Sequence, residues 1–226
     1  MRAKRPGRQG RLRKRAGNHM YRRYIKRLLD IALSLLALLV LAVPMLVLAV
    51  IVKADSPGPV LFWQKRVGIH RTYFMMPKYR TMRTDTPHDV PTHLLRDPER
   101  WITRSGRLLR RYSLDELPQI LCILTAKMSV IGPRPALWNQ EDLLAEREKY
   151  GANELRPGLS GWAQINGRDE LPVAVKARYD GEYVERMSFL FDCRCLFGTV
   201  WRVLRHDGVM EGGSGEAETQ EKTVEK

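Results

Sequence analysis

The sequence predicts a mostly helical α/β protein. A membrane-embedded N-terminal helix is followed by a small domain with amphipathic surface helices and a few short strands. Two observations predict this fold class: residues 31–52 are an uncharged apolar run, and residues 54–210 mix short strand-like runs with amphipathic helical patterns. The 226 residues also carry a net charge of +14. The positive balance favours an anionic partner, which is a nucleic acid, a membrane surface or a phosphorylated small molecule.

The apolar run predicts a membrane element. Its 22 residues are enough to span a bilayer, but Pro44 removes one helical hydrogen bond and kinks the chain. Both flanks are basic, and the positive-inside rule places basic flanks in the cytoplasm. We therefore expect residues 28–53 to form a re-entrant helix-hairpin that is broken at Pro44. A single membrane span is the alternative.

The flanking regions define the remaining domain organisation. Residues 1–27 contain twelve Lys and Arg and no acid, which predicts a partly disordered arm. Because this arm directly precedes the membrane element, anionic inner-membrane lipids suit it better than nucleic acid. Residues 54–210 are the expected membrane-associated domain, and residues 211–226 are an expected disordered tail. The three cysteines are predicted to be reduced thiols.

Within the domain, local patterns predict short strands at 60–63 and 72–76. Amphipathic or charged helices are predicted at 101–111 and 137–150, and a longer helix with a broad apolar face at 179–203. The spacing Ser113-x-x-Glu116 matches a capping box. Pro118 favours a later helix start, with Asp115 as the N-cap. In either case Asp115 and Glu116 come at the start of a helix, where ionised carboxylates are favoured.

This carboxylate pair in a basic chain has two interpretations. One is a solvated ion-pair cluster. The other is a reactive anionic group surrounded by cations that bind a phosphorylated substrate. The candidate cations lie in separate stretches of the chain: Lys78, Arg110, Arg134, Arg156 and Arg168.

Several motifs, in order over about residues 26–207, resemble the bacterial sugar transferases, the monotopic polyprenyl-phosphate hexose-1-phosphate transferases. The motifs include Ser56-x-Gly58-Pro59-x-x-Phe62-x-Gln64-x-Arg66-x-Gly68, Lys78-Tyr79-Arg80-Thr81-Met82, Leu109-Arg110-Arg111-x-Ser113-Leu114-Asp115-Glu116-Leu117-Pro118-Gln119, Gly132-Pro133-Arg134-Pro135, Arg156-Pro157-Gly158 and Asn166-Gly167-Arg168. The resemblance implies a re-entrant helix-hairpin with a small cytosolic catalytic domain on the cytoplasmic face of the inner membrane.

The resemblance also implies an activity. A UDP-sugar would give its sugar-1-phosphate to a polyprenyl phosphate such as undecaprenyl phosphate, and UMP would be released. This is the first membrane step of exopolysaccharide, O-antigen or glycoprotein glycan synthesis. Asp115 would be the nucleophile that forms a covalent phosphosugar intermediate, and Glu116 would help hold Mg²⁺ or act on the acceptor phosphate. Lys78, Arg110 and Arg134 would orient the carboxylates and bind phosphate.

Two other classes of protein stay open at this stage. A membrane-tethered scaffold or regulator of glycan assembly would keep the fold without the activity. A nucleic-acid-binding protein would use the basic arm, but the apolar run at 31–52 disfavours it. The sequence leaves open which sugar is transferred and whether the chain forms a homo-oligomer.

Overall fold

A computed structural model describes residues 20–86, 98–167 and 171–205. The partly disordered arm was predicted at residues 1–27: residues 1–19 lie outside this range, and residues 20–27 are helical. The predicted tail at residues 211–226 also lies outside it. The helices are α1 (Lys26–Asp55), α2 (Arg104–Arg111), α3 (Ile120–Leu124), α4 (Glu141–Glu148), α5 (Trp162–Ile165), α6 (Val173–Arg186) and α7 (Phe189–Arg205). The strands are β1 (Leu61–Val67), β2 (Tyr73–Tyr79), β3 (Ser129–Ile131) and β4 (Gly158–Ser160). A π-helical turn (Tyr21–Ile25) leads into α1, and 3₁₀ turns cover Ile69–Arg71, Pro98–Trp101, Leu114–Gln119 and Ala152–Glu154.

Helix α1 is long and apolar enough to cross a membrane, and only 6% of its most apolar window is buried. That exposure excludes the core helix of a soluble domain. The helix continues through Pro44 as one element of 30 residues. A proline removes one hydrogen bond, and the bonds on either side keep the helix in one piece. The predicted division into two helices of a hairpin is therefore not confirmed.

Both ends of α1 contact the same domain. Near its start, Asp30 is buried and accepts hydrogen bonds from Ser129 Oγ at 2.8 Å and from the Val130 amide at 2.9 Å. In its second half, the Met45 carbonyl accepts from Tyr79 Oη at 2.7 Å, and Val52 is 1% exposed in a core cluster. The apolar side chains between these contacts face outward.

The domain that follows α1 contains two small β-sheets of two strands each. Strands β1 and β2 pair antiparallel, with Phe62 opposite Lys78 and Gln64 opposite Met76. Because side chains alternate between faces, this register places Lys78 on the same face as Met76, which is buried. Strands β3 and β4 pair parallel, with Ser129 opposite Gly158. Both predicted strands exist, and both extend further than expected because they pair over seven residues each.

The structure corrects two predicted helices. The predicted helix at 179–203 is interrupted, since α6 ends at Arg186 and Met187, with ψ 117°, is not helical. The side chain of Met187 is 3% exposed and packs into the main core cluster. This packing favours the break between α6 and α7. The helix predicted at 101–111 begins at Arg104, because Thr103 Oγ1 accepts from the Gly106 amide at 3.0 Å and caps it.

Candidate active site

The carboxylate pair lies in the 3₁₀ turn Leu114–Gln119, which continues directly into α3. Ser113 precedes this turn with φ 55° and makes no side-chain capping bond. The predicted capping box is therefore wrong, because a left-handed Ser113 cannot present its hydroxyl as a helix cap does. The alternative with Asp115 as N-cap is also wrong, since Asp115 lies inside the turn. The pair does occupy the first turn, as expected.

Glu116 is held by two cations from distant parts of the chain. Lys78 Nζ, on β2, lies 2.8 Å from Glu116 Oε1. Arg134 Nη2, in the loop after β3, lies 3.3 Å from the same oxygen. These side chains are 17, 16 and 29% exposed for Glu116, Lys78 and Arg134, so solvent screens the pairs only partly. One of the two carboxylates is thereby fixed in place.

Several opposing effects act on the pKa of Asp115. Burial is the largest effect and raises the pKa of Asp115, while the positive charge of Lys78 opposes the rise. The neighbouring Glu116 raises the pKa of Asp115 further, and Arg110 and Arg134 oppose it. The carboxylate therefore lies among three cations that arrive from β2, α2 and the loop after β3. A phosphate group placed between these cations could accept hydrogen bonds from several of their N–H groups at once.

Arg110 is oriented by Thr81, which belongs to the motif at residues 78–82. Its Nε donates to Thr81 Oγ1 at 2.9 Å, and Thr81 is buried. Thr81 follows β2, the strand that carries Lys78. One short segment therefore supplies a cation to Glu116 and fixes the cation beside Asp115.

Close backbone packing positions Arg134. A Cβ built on Gly158 would lie 2.1 Å from the Gly132 nitrogen, and one on Gly161 would lie 2.0 Å from the Gly132 oxygen. No side chain fits in such gaps, so glycine is required where the loop after β3 passes β4. Arg66 Nη1 also donates to the Pro135 carbonyl at 2.9 Å. The loop that carries Arg134 is thus held from both sides.

Two site residues had no role assigned from the sequence. Arg66 and Gln119 line a small cavity of about 10 Å³ together with Glu116 and Arg134. Gln119 is 2% exposed, and its Nε2 has no hydrogen-bond partner among the described residues. The cavity has the size that holds one water molecule. Both residues belong to motifs that carry the family resemblance, and that was the only signal in the sequence.

The other predicted residues lie elsewhere or outside the described range. Arg156 Nε donates to the Ala126 carbonyl at 3.0 Å, and its side chain lines a second cavity that does not include the carboxylates. Arg168 lies outside the described residues. Arg80, a cation near Lys78, is buried and binds Ser56 and Pro59, so it holds the turn after α1.

A magnesium site fits the donor chemistry of Asp115 and Glu116. No group of three His, Cys, Asp or Glu that could hold a metal occurs among the described residues. Mg²⁺, however, is commonly bound by one or two carboxylates together with waters and substrate phosphates. Two adjacent carboxylates beside Lys78, Arg110 and Arg134 are compatible with that kind of site.

Comparisons with known proteins agree with these motifs. A family model described as Bacterial sugar transferase matches residues 21–206. The chain is 37% identical over 187 residues to the "Uncharacterized sugar transferase EpsL" of Bacillus subtilis (strain 168), which covers 83% of this chain and 91% of that protein. It is 41% identical over 190 residues to the "Exopolysaccharide production protein PSS" of Rhizobium leguminosarum bv. phaseoli, covering 78% of this chain and 93% of that protein.

A third relative is a longer protein. The chain is 40% identical over 186 residues to a UDP-glucose:undecaprenyl-phosphate glucose-1-phosphate transferase of Xanthomonas campestris pv. campestris, covering 79% of this chain and 38% of that protein. The chain thus spans most of two relatives and well under half of the third. The resemblance inferred from the motifs is confirmed: this chain belongs to the bacterial sugar transferase family.

Proposed function

We propose that this chain is a phosphoglycosyl transferase that moves a sugar-1-phosphate from a UDP-sugar to undecaprenyl phosphate or a similar polyprenyl phosphate. The observation that carries the proposal is the convergence of Lys78, Arg110 and Arg134 on Asp115 and Glu116. Relatives named as UDP-glucose:undecaprenyl-phosphate glucose-1-phosphate transferases support the substrate classes, and one named for exopolysaccharide production supports the pathway type.

In the first step a carboxylate oxygen of Asp115 attacks the β-phosphorus of the donor. An oxygen–phosphorus bond to Asp115 forms, and the bond from that phosphorus to the bridging oxygen breaks. UMP leaves with the bridging oxygen and its electron pair. The three cations offset the negative charge that builds on the phosphoryl oxygens, which is the main protein contribution to phosphoryl transfer.

In the second step a phosphate oxygen of the polyprenyl acceptor attacks the same phosphorus. The bond to Asp115 breaks, the carboxylate is restored, and the product is a polyprenyl diphosphosugar. Glu116 is less available as a nucleophile, because its Oε1 accepts from both Lys78 and Arg134. Glu116 therefore serves as a metal ligand with Asp115 or as the group that acts on the acceptor phosphate. When bound there, Mg²⁺ would neutralise part of the diphosphate charge.

We also propose that α1 is re-entrant and that the domain lies on the cytoplasmic face of the inner membrane. Asp30, near the start of α1, and Val52, near its end, both pack against one domain. A helix that crossed a bilayer would place its ends on opposite faces, and one domain cannot lie on both. A bend near Pro44 would return the chain to the starting face. Reporter fusions test this topology: both termini should score as cytoplasmic, and opposite sides would contradict it.

The decisive experiment measures UMP release by the purified full chain with undecaprenyl phosphate and a panel of UDP-sugars. Asp115→Asn should lower turnover at least about a thousandfold, because loss of a nucleophile removes the covalent route. Asp142→Asn is the matched control, since Asp142 is exposed on α4, and it should keep wild-type activity.

A second readout examines the intermediate itself. With donor alone, mass spectrometry of the quenched wild-type protein should find the added mass of the sugar phosphate, and Asp115→Asn should not gain it. Near-normal turnover of folded Asp115→Asn would overturn the covalent mechanism. Absence of UMP release by the wild-type chain with every donor would favour the scaffold alternative.

A further inference from the structure

A second basic cavity lies apart from the carboxylates. It has a volume of about 440 Å³, within the range of small-molecule sites. Its polar lining comes from two directions. Arg22, Arg23 and Lys26 approach from the start of the chain's described part, while Glu154 and Arg156 approach from the segment before β4. None of the residues that line it also lines the cavity beside Glu116.

The charges in this cavity do not cancel. Lys26 Nζ forms an ion pair with Asp192 Oδ2 at 2.6 Å, and Glu154 pairs with His70 at 2.9 Å. Even with the Glu154 carboxylate counted as a full negative charge, the guanidinium groups of Arg22, Arg23 and Arg156 leave the lining with a net positive charge. Guanidinium groups bind phosphate through paired N–H donors. The cavity is therefore suited to a phosphate-bearing anion.

The floor of the cavity is rigid. Tyr183 is 1% exposed, and its hydroxyl donates to Asp192 Oδ1 at 2.7 Å. Tyr21, between the cavity and the core, donates to Asp192 Oδ2 at 2.6 Å. Arg156 is fixed on the other side by its bond to the Ala126 carbonyl. The arginines on the N-terminal side lie on a π-helical turn, a feature frequent at functional sites.

The surroundings indicate which phosphate-bearing molecule would reach this cavity. Met20, Tyr24 and Leu28 are 59, 58 and 67% exposed and recur every four residues beside the arginines. This stripe leads into the exposed apolar surface of α1. An aromatic and apolar stripe interleaved with arginine is typical of a segment at the membrane interface. Acyl chains could follow the stripe while a headgroup enters the cavity.

We propose that the cavity lined by Arg22, Arg23 and Arg156 binds the phosphate headgroup of an anionic phospholipid. It is a second anion site, separate from the one that handles the reacting phosphates. The arginine that sequence motifs assigned to substrate binding, Arg156, belongs to this site. The proposal does not depend on the transferase activity, because it concerns lipid binding alone.

Native mass spectrometry of the detergent-solubilised full chain tests this site. Short-chain phosphatidylglycerol should bind saturably, and phosphatidylcholine should bind at least about tenfold more weakly because it lacks the net charge. Arg156→Gln should weaken phosphatidylglycerol binding by about tenfold, the usual loss for a charge-assisted hydrogen bond. Arg178→Gln, at an exposed arginine on α6, removes the same charge and should leave binding unchanged.

The outcomes separate the proposal from its rivals. Equal binding losses in Arg156→Gln and Arg178→Gln would overturn the site and indicate only a general effect of charge. Displacement of the lipid by an equal concentration of inorganic phosphate would overturn the lipid assignment. If Arg156→Gln fails to fold, the double variant Arg22→Gln/Arg23→Gln decides the matter, because both residues are exposed. It should lose at least as much affinity as Arg156→Gln.

Discussion

Asp180 and Asp115 are two carboxylates that burial pushes toward the neutral form, since burial raises the pKa of each. Asp180, on α6, meets one guanidinium: Arg147 Nε and Nη2, on α4, both lie 2.7 Å from its Oδ2. Those side chains are 2 and 5% exposed. Asp115 instead has three cations from separate segments and a carboxylate neighbour, Glu116, which lines a small cavity.

The difference shows what distinguishes a structural ion pair from the site proposed to be reactive. The direction of the pKa shift does not distinguish the two sites, because burial raises the pKa of both carboxylates. The number of converging cations and the exposure of the side chains to solvent do distinguish them. One buried guanidinium balances the charge of one carboxylate, whereas three cations around two carboxylates leave net positive charge for a phosphate. The following experiments test this contrast, in order of decreasing effect.

The largest effect on stability is expected at the buried pair. Asp180→Ala leaves the Arg147 guanidinium buried without its partner, which typically destabilises a protein by about 3–5 kcal/mol. Chemical denaturation measures the loss, and UMP release per folded molecule should stay near wild type. A loss of turnover in protein that is still folded would contradict a purely structural role for this pair.

Lys78→Met should have the opposite signature. Removal of one charge-stabilising donor lowers turnover by about 10²–10³-fold, while the partly exposed ion pair contributes only about 1 kcal/mol to stability. The acid side of the pH–rate profile should also move. In the proposed mechanism the ionised Asp115 attacks, so activity should fall as pH drops through its raised pKa. Loss of Lys78 removes the largest opposing charge and raises that pKa further.

The acid limb of kcat/KM should therefore shift to higher pH in Lys78→Met. Arg71→Met is the matched control, since Arg71 forms an exposed pair with Glu141 away from the carboxylates. Its profile should match wild type. An unshifted acid limb in Lys78→Met would show that the ionisation of Asp115 does not set the pH dependence of kcat/KM.

The smallest expected effect concerns the backbone of Ser113, which precedes the carboxylate pair. Ser113 has φ 55°, and a left-handed non-glycine residue costs about 1–2 kcal/mol. Ser113→Gly relieves this strain but adds about 0.5–1 kcal/mol of unfolded-state entropy, so a net gain in stability below about 1 kcal/mol is expected. Ala126→Gly, with φ 61° in a turn away from the carboxylate pair, should gain a similar amount. Only Ser113→Gly should change turnover, and equal activity in both variants would contradict a link between this strain and the site.

Residue patterns predicted much of this architecture. The uncharged run predicted α1, and the motifs predicted that Lys78, Arg110 and Arg134 lie near the carboxylates. Local patterns failed where tertiary contacts decide the outcome. Met187 interrupts a predicted helix because its side chain fills the core, and the left-handed Ser113 replaces a predicted cap. The position of Arg156 depends on the packing of distant segments, which no local motif encodes.

The contacts of Asp30 set an order of events during synthesis. Its partner Ser129 comes 99 positions later in the chain. At ordinary rates of translation Asp30 waits on the order of 5–20 s for that partner to be made. The apolar stretch of α1 leaves the ribosome within that interval. Membrane insertion of α1 would therefore precede closure of the domain, and the rest of the chain would assemble onto a helix already placed in lipid.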